Sequence, residues 1–248
     1  MLRIEDGRTG GTVELEPGRR APLRVVACLP PGGGPQAARV IVTADVLART
    51  VEFTGGQVML AVVEPSGANG ASGANGATAL GAAPAAIRAA SVAEAQEGLA
   101  GRIAVRVVAV GDTLDPGDEG EGVRMDVGPV TGQPSPGLDL RLALLGRGRR
   151  EPLELAPPEL DAAAARLTRW RQAVALWAEE PSKPMCAPHV ERIRTALSSD
   201  LDTPAVLDVL EVVAAQAELP PGSRFETFAH VDRVLGLELT REVGGVRP

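Results

Sequence analysis

The apolar residues of the first 110 positions form short runs separated by turn residues, a pattern typical of alternating strands and helices. Residues 23–27 and 58–63 are apolar runs with the length of buried strands. Between them, the proline- and glycine-rich residues 30–35 predict a loop, and residues 36–52 have the length and alanine content of a helix. Residues 103–110 predict another strand. Strand, helix and strand in this order predict a βαβ unit within a parallel sheet.

Beyond residue 138 the apolar positions recur every three or four residues, which is the period of amphipathic helices. The four stripes that we assign are Leu160, Ala164, Leu167, Trp170, Val174 and Trp177; Val190, Ile193 and Leu197; Leu207, Leu210, Val213 and Ala217; and Phe225, Phe228, Val231 and Leu235. Thr203 followed by Pro204 predicts the start of the third helix, with the threonine hydroxyl as its cap. Residues 223–226 predict a capping box that opens the fourth helix, and Gly236 ends it.

These patterns predict an α/β fold in which a small Rossmann-like parallel-sheet domain precedes an all-α four-helix bundle. We place the first domain at residues 1–150 and the helical domain at residues 151–248. Residues 66–83 include Ser-Gly-Ala-Asn-Gly-Ala written twice, a composition that predicts a flexible surface insertion. We also expect a short helix at residues 85–97 and a solvated acidic loop at residues 112–122.

The charged residues limit the classes of function. The net charge is −7, and residues 151–248 carry 10 basic against 16 acidic groups, so binding to a nucleic-acid backbone is not expected. The one lysine, Lys183, and both histidines, His189 and His230, lie beyond residue 180. An ATP site in the first 150 residues would therefore have no ammonium and no imidazole. No apolar run approaches about 18 residues and no signal pattern opens the chain, so we expect a cytoplasmic protein without membrane contact.

A family resemblance is carried by residues 192–204, which end in Ser198-Ser199-Asp200-Leu201-Asp202-Thr203-Pro204. This segment resembles the helical-domain motif of cysteinyl-tRNA synthetases. It resembles more closely that of their paralogue, the mycothiol-pathway ligase that joins cysteine to a glucosaminyl-inositol. Residues 140–145 and 166–171 resemble the segment after these enzymes' second signature, and residues 15–28 and 45–53 resemble their opening strand and first helix. The resemblance covers roughly residues 2–63 and 120–240 and implies a class I synthetase fold.

The resemblance also implies which nucleotide-binding groups differ. In the family's His-x-Gly-His loop, which binds ATP, the two histidine positions correspond to Gly34 and Ala37. Arg39 matches the family's residue just beyond this loop. The second signature, Lys-Met-Ser-Lys-Ser, supplies ammonium charge to the triphosphate and is best matched from Arg124 onwards. Arg124 keeps a cation, whereas Asp126 places a carboxylate beside the phosphates. Gly34, Arg39 and Arg124 are therefore the candidates for residual nucleotide contact, and we predict no catalytic residue.

The family's cysteine-selecting zinc has a first cysteine ligand to which Cys28 corresponds. No other cysteine or histidine lies between Cys28 and Cys186, and structural zinc prefers a tetrahedral set of nitrogen and sulfur ligands. We therefore predict no metal site at this vestigial ligand position and interpret Cys28 as a buried small hydrophobe, with a vestigial ligand or a reactive thiol as the alternatives. No cofactor is expected, and ATP only if residual activity persists.

The combined prediction is a catalytically degenerate relative of the cysteine ligases that acts as a binding or scaffold subunit, with a protein partner such as an active cysteine ligase. The first alternative is a minimal ATP-dependent cysteine ligase that forms cysteinyl-adenylate with altered residues such as Arg124, since arginine can bind phosphate in place of lysine. The second is a decaying paralogue without a selected role. Asp200 and Asp202 are interpreted as turn and cap residues, and His189 and His230 as packing residues.

Overall fold

A computed structural model of the chain describes residues 1–16, 21–64, 80–82, 86–112 and 122–245. Its elements are β1 (Leu2–Glu5), β2 (Thr12–Leu15), β3 (Leu23–Cys28), α1 (Gly34–Phe53), β4 (Val58–Val63), β5 (Ile87–Ala89), α2 (Val92–Gly98), β6 (Val105–Ala109), β7 (Val123–Val127), β8 (Val130–Gly132), α3 (Leu138–Leu145), β9 (Leu153–Leu155), α4 (Pro157–Trp177), α5 (Ala187–Ser198), α6 (Thr203–Ala215) and α7 (Pro221–Leu235). The predicted insertion at residues 66–83 lies outside the described residues except for 80–82, and the predicted loop at 112–122 does so except for its two ends. Within the described ranges, no helix has the length and apolarity needed to cross a membrane.

Five parallel strands form the central sheet in the order β5-β4-β3-β6-β7. In the register of β3 with β4, Leu23 pairs with Val58 and Cys28 with Val63, and α1 connects the two strands. The predicted βαβ unit and the α/β fold class are therefore confirmed. Apart from Arg24, β3 is apolar because both of its faces are covered, one by α1 and the other by α2.

The helices α4 to α7 follow the sheet and agree with the four helices predicted from the apolar stripes, except at two residues. Ala164 is exposed, and Ala217 lies beyond the end of α6 at Ala215. Trp170 of α4 is fully buried, and its ring meets Phe228 of α7 edge-on with the ring centroids 5.6 Å apart. Trp177 contacts the same phenyl ring at 5.2 Å. One apolar core extends from the sheet into these helices, and the predicted division into domains at residue 150 stays a prediction.

A buried arginine, Arg141 of α3, connects α1 and α7 where the sheet meets the helices. Its side chain is fully buried and donates to Asp45 Oδ2 at 2.6 Å and to the Leu235 carbonyl oxygen at 2.5 Å. Arg49 donates to the same oxygen of Asp45 at 2.8 Å. Gly236 ends α7 in the left-handed conformation, as predicted, with a φ of 61°. A Cβ atom on Gly236 would lie 3.0 Å from Arg141 Nη2, so the glycine allows both the turn and the arginine.

The start of α6 differs from the prediction. Its cap is Asp202, whose carboxylate accepts the Ala205 N–H at 3.1 Å, and not Thr203. The Thr203 hydroxyl donates instead to the carbonyl oxygen of Leu145, at 2.8 Å. Leu145 is the last residue of α3, and carbonyls at a helix end lack partners within the helix. The threonine cap is therefore wrong, because that hydroxyl satisfies a neighbouring helix, whereas the prediction of Asp202 as a cap is confirmed.

Two further boundaries are corrected. α7 begins at Pro221, before the predicted capping box at residues 223–226, because proline fits the first turn of a helix. Ser223 already lies inside the helix, where its carbonyl accepts the Thr227 hydroxyl at 2.7 Å. The helix predicted at residues 85–97 is also shorter: β5 comes first, and α2 starts after Ser91, whose hydroxyl accepts the Glu94 N–H at 3.1 Å. Three residues of strand are too few to show a period in the sequence.

Two strand pairs outside the central sheet are not apparent from the sequence pattern. β1 pairs antiparallel with β2, and β8 pairs parallel with β9. β1 also forms an isolated parallel bridge from Arg3 to Ser199, in the loop between α5 and α6. The first strand of the chain therefore contacts the segment that carries the family resemblance.

Candidate functional site

The strand order of the central sheet changes direction between β3 and β6, which lie side by side. The connection through α1 leads from β3 to β4 on one side, whereas β6 and β7 follow on the other side. In open parallel sheets, ligands bind at the carboxyl ends of the strands where the strand order changes direction in this way. The loop that leads from β3 into α1 and the loop after β6 meet this edge.

The loop before α1 is shaped by three successive glycines. Gly32, Gly33 and Gly34 have φ angles of 89°, 67° and 70°, in the left-handed region that favours glycine. A Cβ atom on Gly32 or Gly34 would meet nothing within 4 Å, so backbone conformation alone calls for these glycines. No side chain caps the helix at Gly33, and its first turn contains no acidic residue. Such a helix N-terminus has the polarity to attract an anion.

Arg39 lies on α1 but is directed into the protein. Its side chain is only 2% exposed. Nη1 donates to the carbonyl oxygens of Glu151 at 2.7 Å and Gly128 at 3.2 Å, and Nη2 donates to that of Gly148 at 2.7 Å. Burial lowers the pKa of Arg39 to about 10, Glu151 opposes that shift and Arg147 adds to it, so the group stays charged at neutral pH. The Nη donors of Arg39 thus hold two loops together.

Gln36 strengthens the same connection. It occupies the position at which the resemblance implies the glycine of the ATP-binding loop. Its Nε2 donates to the Gly128 carbonyl at 3.1 Å, and its Oε1 accepts the Val130 N–H at 2.7 Å. The first turns of α1 are therefore fixed to the chain between β7 and β8 by two side chains.

Arg124 is paired within its own strand. The segment that best matches the second signature forms β7, and Met125 at its centre is fully buried. Arg124 Nε donates to Asp126 Oδ1 at 2.7 Å, and Nη2 donates to the Asp112 carbonyl at 3.0 Å. Alternate residues of a strand share a face, so the sequence already contained the signal for this ion pair. Gly7 covers the carboxylate: a Cβ atom there would lie 2.0 Å from Asp126 Oδ2.

The structure does not gather Gly34, Arg39 and Arg124 into one cluster of available donors. Arg39 contacts the loops at 128 and 148–151, Arg124 contacts Asp126 and the loop after β6, and Gly34 is exposed backbone at the helix start. The cations that would have to meet a triphosphate are engaged by the protein's own oxygen atoms.

The surroundings of Cys28 do not fit zinc. Cys28 ends β3 and is 6% exposed, within an apolar cluster that includes Val63, Ala89 and Val108. Among the described residues, no group of three or more histidine, cysteine, aspartate or glutamate side chains is placed to hold a metal ion. Zinc that selects a thiol requires such a set of ligands. The geometry agrees with the interpretation of Cys28 as a small buried hydrophobe.

Both histidines lie on helices and contact neighbouring side chains. His189 Nε2 is 2.9 Å from Gln216 Oε1. The His230 ring lies 4.6 Å from the ring of Phe53, centroid to centroid. Burial, with additional repulsion from Arg233 and Arg194, lowers the pKa of His230 below its usual 6.5. These contacts support the interpretation of both as packing residues.

The residue whose structural role the sequence concealed is Asp200. It was expected to be a turn residue, and it does turn the chain, with a φ of 56° that Leu201 repeats. Its carboxylate also accepts the Glu5 N–H at 3.0 Å and an Arg149 N–H at 2.5 Å. Its own N–H donates to the Arg3 carbonyl at 2.8 Å. The motif with the family resemblance therefore joins the helices to β1 and to the loop after α3.

A cleft lies at the opposite end of α1 from the glycine loop, near the amino ends of the strands. Its volume is about 390 Å³, and it is lined by the C-terminal half of α1 and by the first residues of β4 and β5. Met59 and Leu60 form part of an apolar floor, and Glu52 and Arg233 supply charge. None of the predicted nucleotide-contact residues lines it.

Comparison with known proteins bears on this geometry. No protein-family model matches the chain. Curated proteins called L-cysteine:1D-myo-inositol 2-amino-2-deoxy-alpha-D-glucopyranoside ligase do match: that of Nocardiopsis dassonvillei is 39% identical over 104 residues, which are 40% of this chain and 25% of the relative. That of Thermomonospora curvata is 38% identical over 105 residues, 40% of this chain and 24% of the relative. That of Thermobispora bispora is 42% identical over 76 residues, 31% of this chain and 18% of the relative.

Over the matched segments, this chain is similar to these cysteine ligases. The resemblance stated from its residues is thereby confirmed, and the parallel sheet followed by helices agrees with the fold that it implied. The matched segment spans about a quarter of the length of the first two ligases.

Proposed function

We propose that this cysteine ligase-like protein is catalytically degenerate and acts as a binding or scaffold subunit in the cytoplasm. The observation that carries the proposal is the engagement of Arg39 and Arg124. Four Arg39 hydrogen bonds end on main-chain carbonyls, and Arg124 is paired with Asp126. Both guanidinium groups are thus engaged by oxygen atoms of the protein itself.

The electrostatic cost of restoring a triphosphate site supports the proposal. A phosphate that approached Arg124 would have to displace Asp126 or remain beside it, and two like charges about 4 Å apart repel by about 1–4 kcal/mol at water-like to protein-surface dielectric constants. Removal of a single donor that stabilises a developing charge costs about 2.7–4 kcal/mol in typical enzymes. The positions that match the two family histidines are Gly34 and Ala37, which bring no side-chain donor. Adenylate formation is therefore not expected.

The proposal includes no cofactor. Arg39 and Arg124 bond to the protein's own oxygen atoms and so offer ATP no set of available cations, and the described surroundings of Cys28 do not supply zinc ligands. The partner that we propose is a protein, with an active cysteine ligase as the first to test, because the chain shares sequence with such ligases. We propose no nucleic-acid partner, since residues 151–248 carry 16 acidic against 10 basic groups.

A titration of thermal stability tests the catalytic part of the proposal. The full chain is heated with ATP, with cysteine, and with a non-reactive cysteinyl-adenylate analogue, each at millimolar concentration. A ligand at a hundredfold its Kd would stabilise the fold by about 2.7 kcal/mol, or roughly 5–10 °C for a chain of this size. We expect no shift. A shift with the analogue that disappears in Arg124→Ala would overturn the proposal in favour of a minimal ligase.

The same titration in Asp126→Ser provides a matched control. That variant removes the carboxylate that pairs with Arg124 and leaves the arginine in place. If paired charge is what excludes nucleotide, ATP should stabilise Asp126→Ser more than the unchanged protein. For the scaffold part, the chain and an active cysteine ligase from the same cell are mixed and examined by size-exclusion chromatography. Co-elution is expected, and separate elution at micromolar concentrations would argue against that partner.

A further inference from the structure

A small cavity lies where α1, the loop after α3 and the loop before α6 meet. Its volume, taken as the space open to the centre of a water-sized sphere, is about 20 Å³. Three arginines line it, Arg39 from α1 and Arg147 and Arg149 from the loop after α3, together with Thr203 and apolar side chains of α1 and α3. Neither the glycines of the loop before α1 nor the pair of Arg124 with Asp126 lines this cavity.

Two buried hydrogen-bond donors at this cavity lack an acceptor. Arg39 is 2% exposed and Arg149 is 8% exposed, so both are more than nine-tenths buried. The Nε–H of each makes no hydrogen bond to the protein. The Nη groups of both arginines, in contrast, are hydrogen-bonded. Buried donors are paired with protein, ordered water or an ion in nearly all native structures. The cavity that both side chains line is the place where a shared acceptor fits.

The charges around the cavity do not balance. Arg149 is paired with Asp200 at 2.5 Å, and Arg147 is paired with Glu151 at 3.9 Å. None of the ion pairs among the described residues includes Arg39, whose bonds all end on neutral carbonyl oxygens. Three cations and two carboxylates leave one positive charge. A buried charge is costly unless it is paired, so an acceptor that carries one negative charge is favoured over a neutral one.

The size of the cavity restricts the acceptor further. About 20 Å³ accommodates one water molecule or one monatomic ion, since a water requires about 10–15 Å³ by this measure. A nucleotide does not fit in it. A water would accept both Nε–H donors but would leave the charge of Arg39 without a partner, whereas a halide would meet both requirements.

We propose that this cavity binds a single monatomic monovalent anion, of which chloride is the abundant example, held by the Nε–H groups of Arg39 and Arg149. The anion connects α1 to the loop after α3 and to the loop that carries Asp200 and Thr203. It acts as a structural ion at the junction of sheet and helices, and its binding is independent of any nucleotide.

The test measures the melting temperature of the full chain at constant ionic strength while sodium gluconate is replaced by sodium chloride. Gluconate has the same charge but is too large for the cavity. We expect a saturable rise, of about 3–6 °C at a chloride concentration tenfold above its Kd. Bromide should give the same rise, and crystals grown in bromide should show an anomalous peak between Arg39 and Arg149.

Arg147→Ala and Arg241→Ala form a matched pair of variants. Both arginines are exposed and belong to weak ion pairs, with side-chain exposures of 52% and 66%, so both variants should fold. Arg147 lines the cavity, and we expect its loss to raise the Kd for chloride by about three- to tenfold, while Arg241→Ala leaves it unchanged. Equal melting temperatures in chloride and gluconate, or equal effects of the two variants, would assign the cavity to water and overturn the proposal.

Discussion

Replacement of Arg141 by methionine tests the buried connection between α1, α3 and α7. The arginine donates to Asp45 Oδ2 at 2.6 Å, to the Leu235 carbonyl at 2.5 Å and to the Leu80 carbonyl at 3.3 Å. Methionine has a similar length and an apolar side chain, so it fills much of the space without supplying a donor. The variant therefore leaves a buried carboxylate and two carbonyl oxygens with one partner fewer.

The expected loss can be worked out from these contacts. Breaking a buried ion pair by removing one partner costs about 3–5 kcal/mol. Here Arg49 continues to donate to the same oxygen of Asp45, at 2.8 Å, and offsets part of that cost. We therefore expect Arg141→Met to lower the free energy of unfolding by about 3–4 kcal/mol, a decrease of roughly 6–16 °C in Tm.

Arg49→Met is the matched control, since it removes the other cation from the same carboxylate. The Arg49 side chain is 25% exposed, so water can replace part of what it donates, and we expect a loss of about 1–2 kcal/mol. The assay is urea unfolding followed by far-ultraviolet circular dichroism at neutral pH. A loss below about 1 kcal/mol for Arg141→Met, or one no larger than that for Arg49→Met, would refute the reasoning.

Three further predictions concern single side chains. Burial, with Arg233 and Arg194, lowers the pKa of His230 below 6.5, so folding favours the neutral ring. The free energy of unfolding should therefore fall as the pH drops through 6.5. Urea titrations of His230→Gln should show a weaker dependence of that free energy on pH. Asp202→Ala removes the cap of α6 and should cost about 0.5–2 kcal/mol in the same assay. Gly236→Ala should lower Tm further than Asp202→Ala does, for two reasons. Alanine is strained at a φ of 61°, and its Cβ atom would press against the buried Arg141 guanidinium.

Long, periodic segments allowed most of the fold to be predicted from the sequence. The stretch from β3 through α1 to β4 and the four C-terminal helices carry enough repeats of their apolar period to be recognised. β5, β8 and β9 have three residues each, so no period can show, and their pairing depends on distant partners. The starts of the helices were predicted less accurately. The sequence around Thr203 and Pro204 allows more than one capping residue, and the Thr203 hydroxyl bonds to the Leu145 carbonyl instead of capping α6.

The candidate site was predictable in its residues but not in their partners. The pairing of Arg124 with Asp126 follows from strand alternation once β7 is recognised. The burial of Arg39 does not, because its acceptors lie 89 to 112 positions away in the chain. The local sequence gives no sign that those carbonyls converge on α1. For the same reason Asp200 looked like an ordinary turn residue.

The bond from the Glu5 N–H to the Asp200 carboxylate joins groups 195 positions apart. At ribosomal rates of about 5–20 residues per second, roughly 10–40 s separate the synthesis of these two residues. During that interval β1 can pair with β2 but cannot find its contact with the α5–α6 loop. Contacts of such sequence separation form late in folding, because a long loop must close first. A nascent chain that carries this protein therefore exposes one edge of its N-terminal hairpin until α5 has been made, and that edge is where a chaperone would be expected to bind.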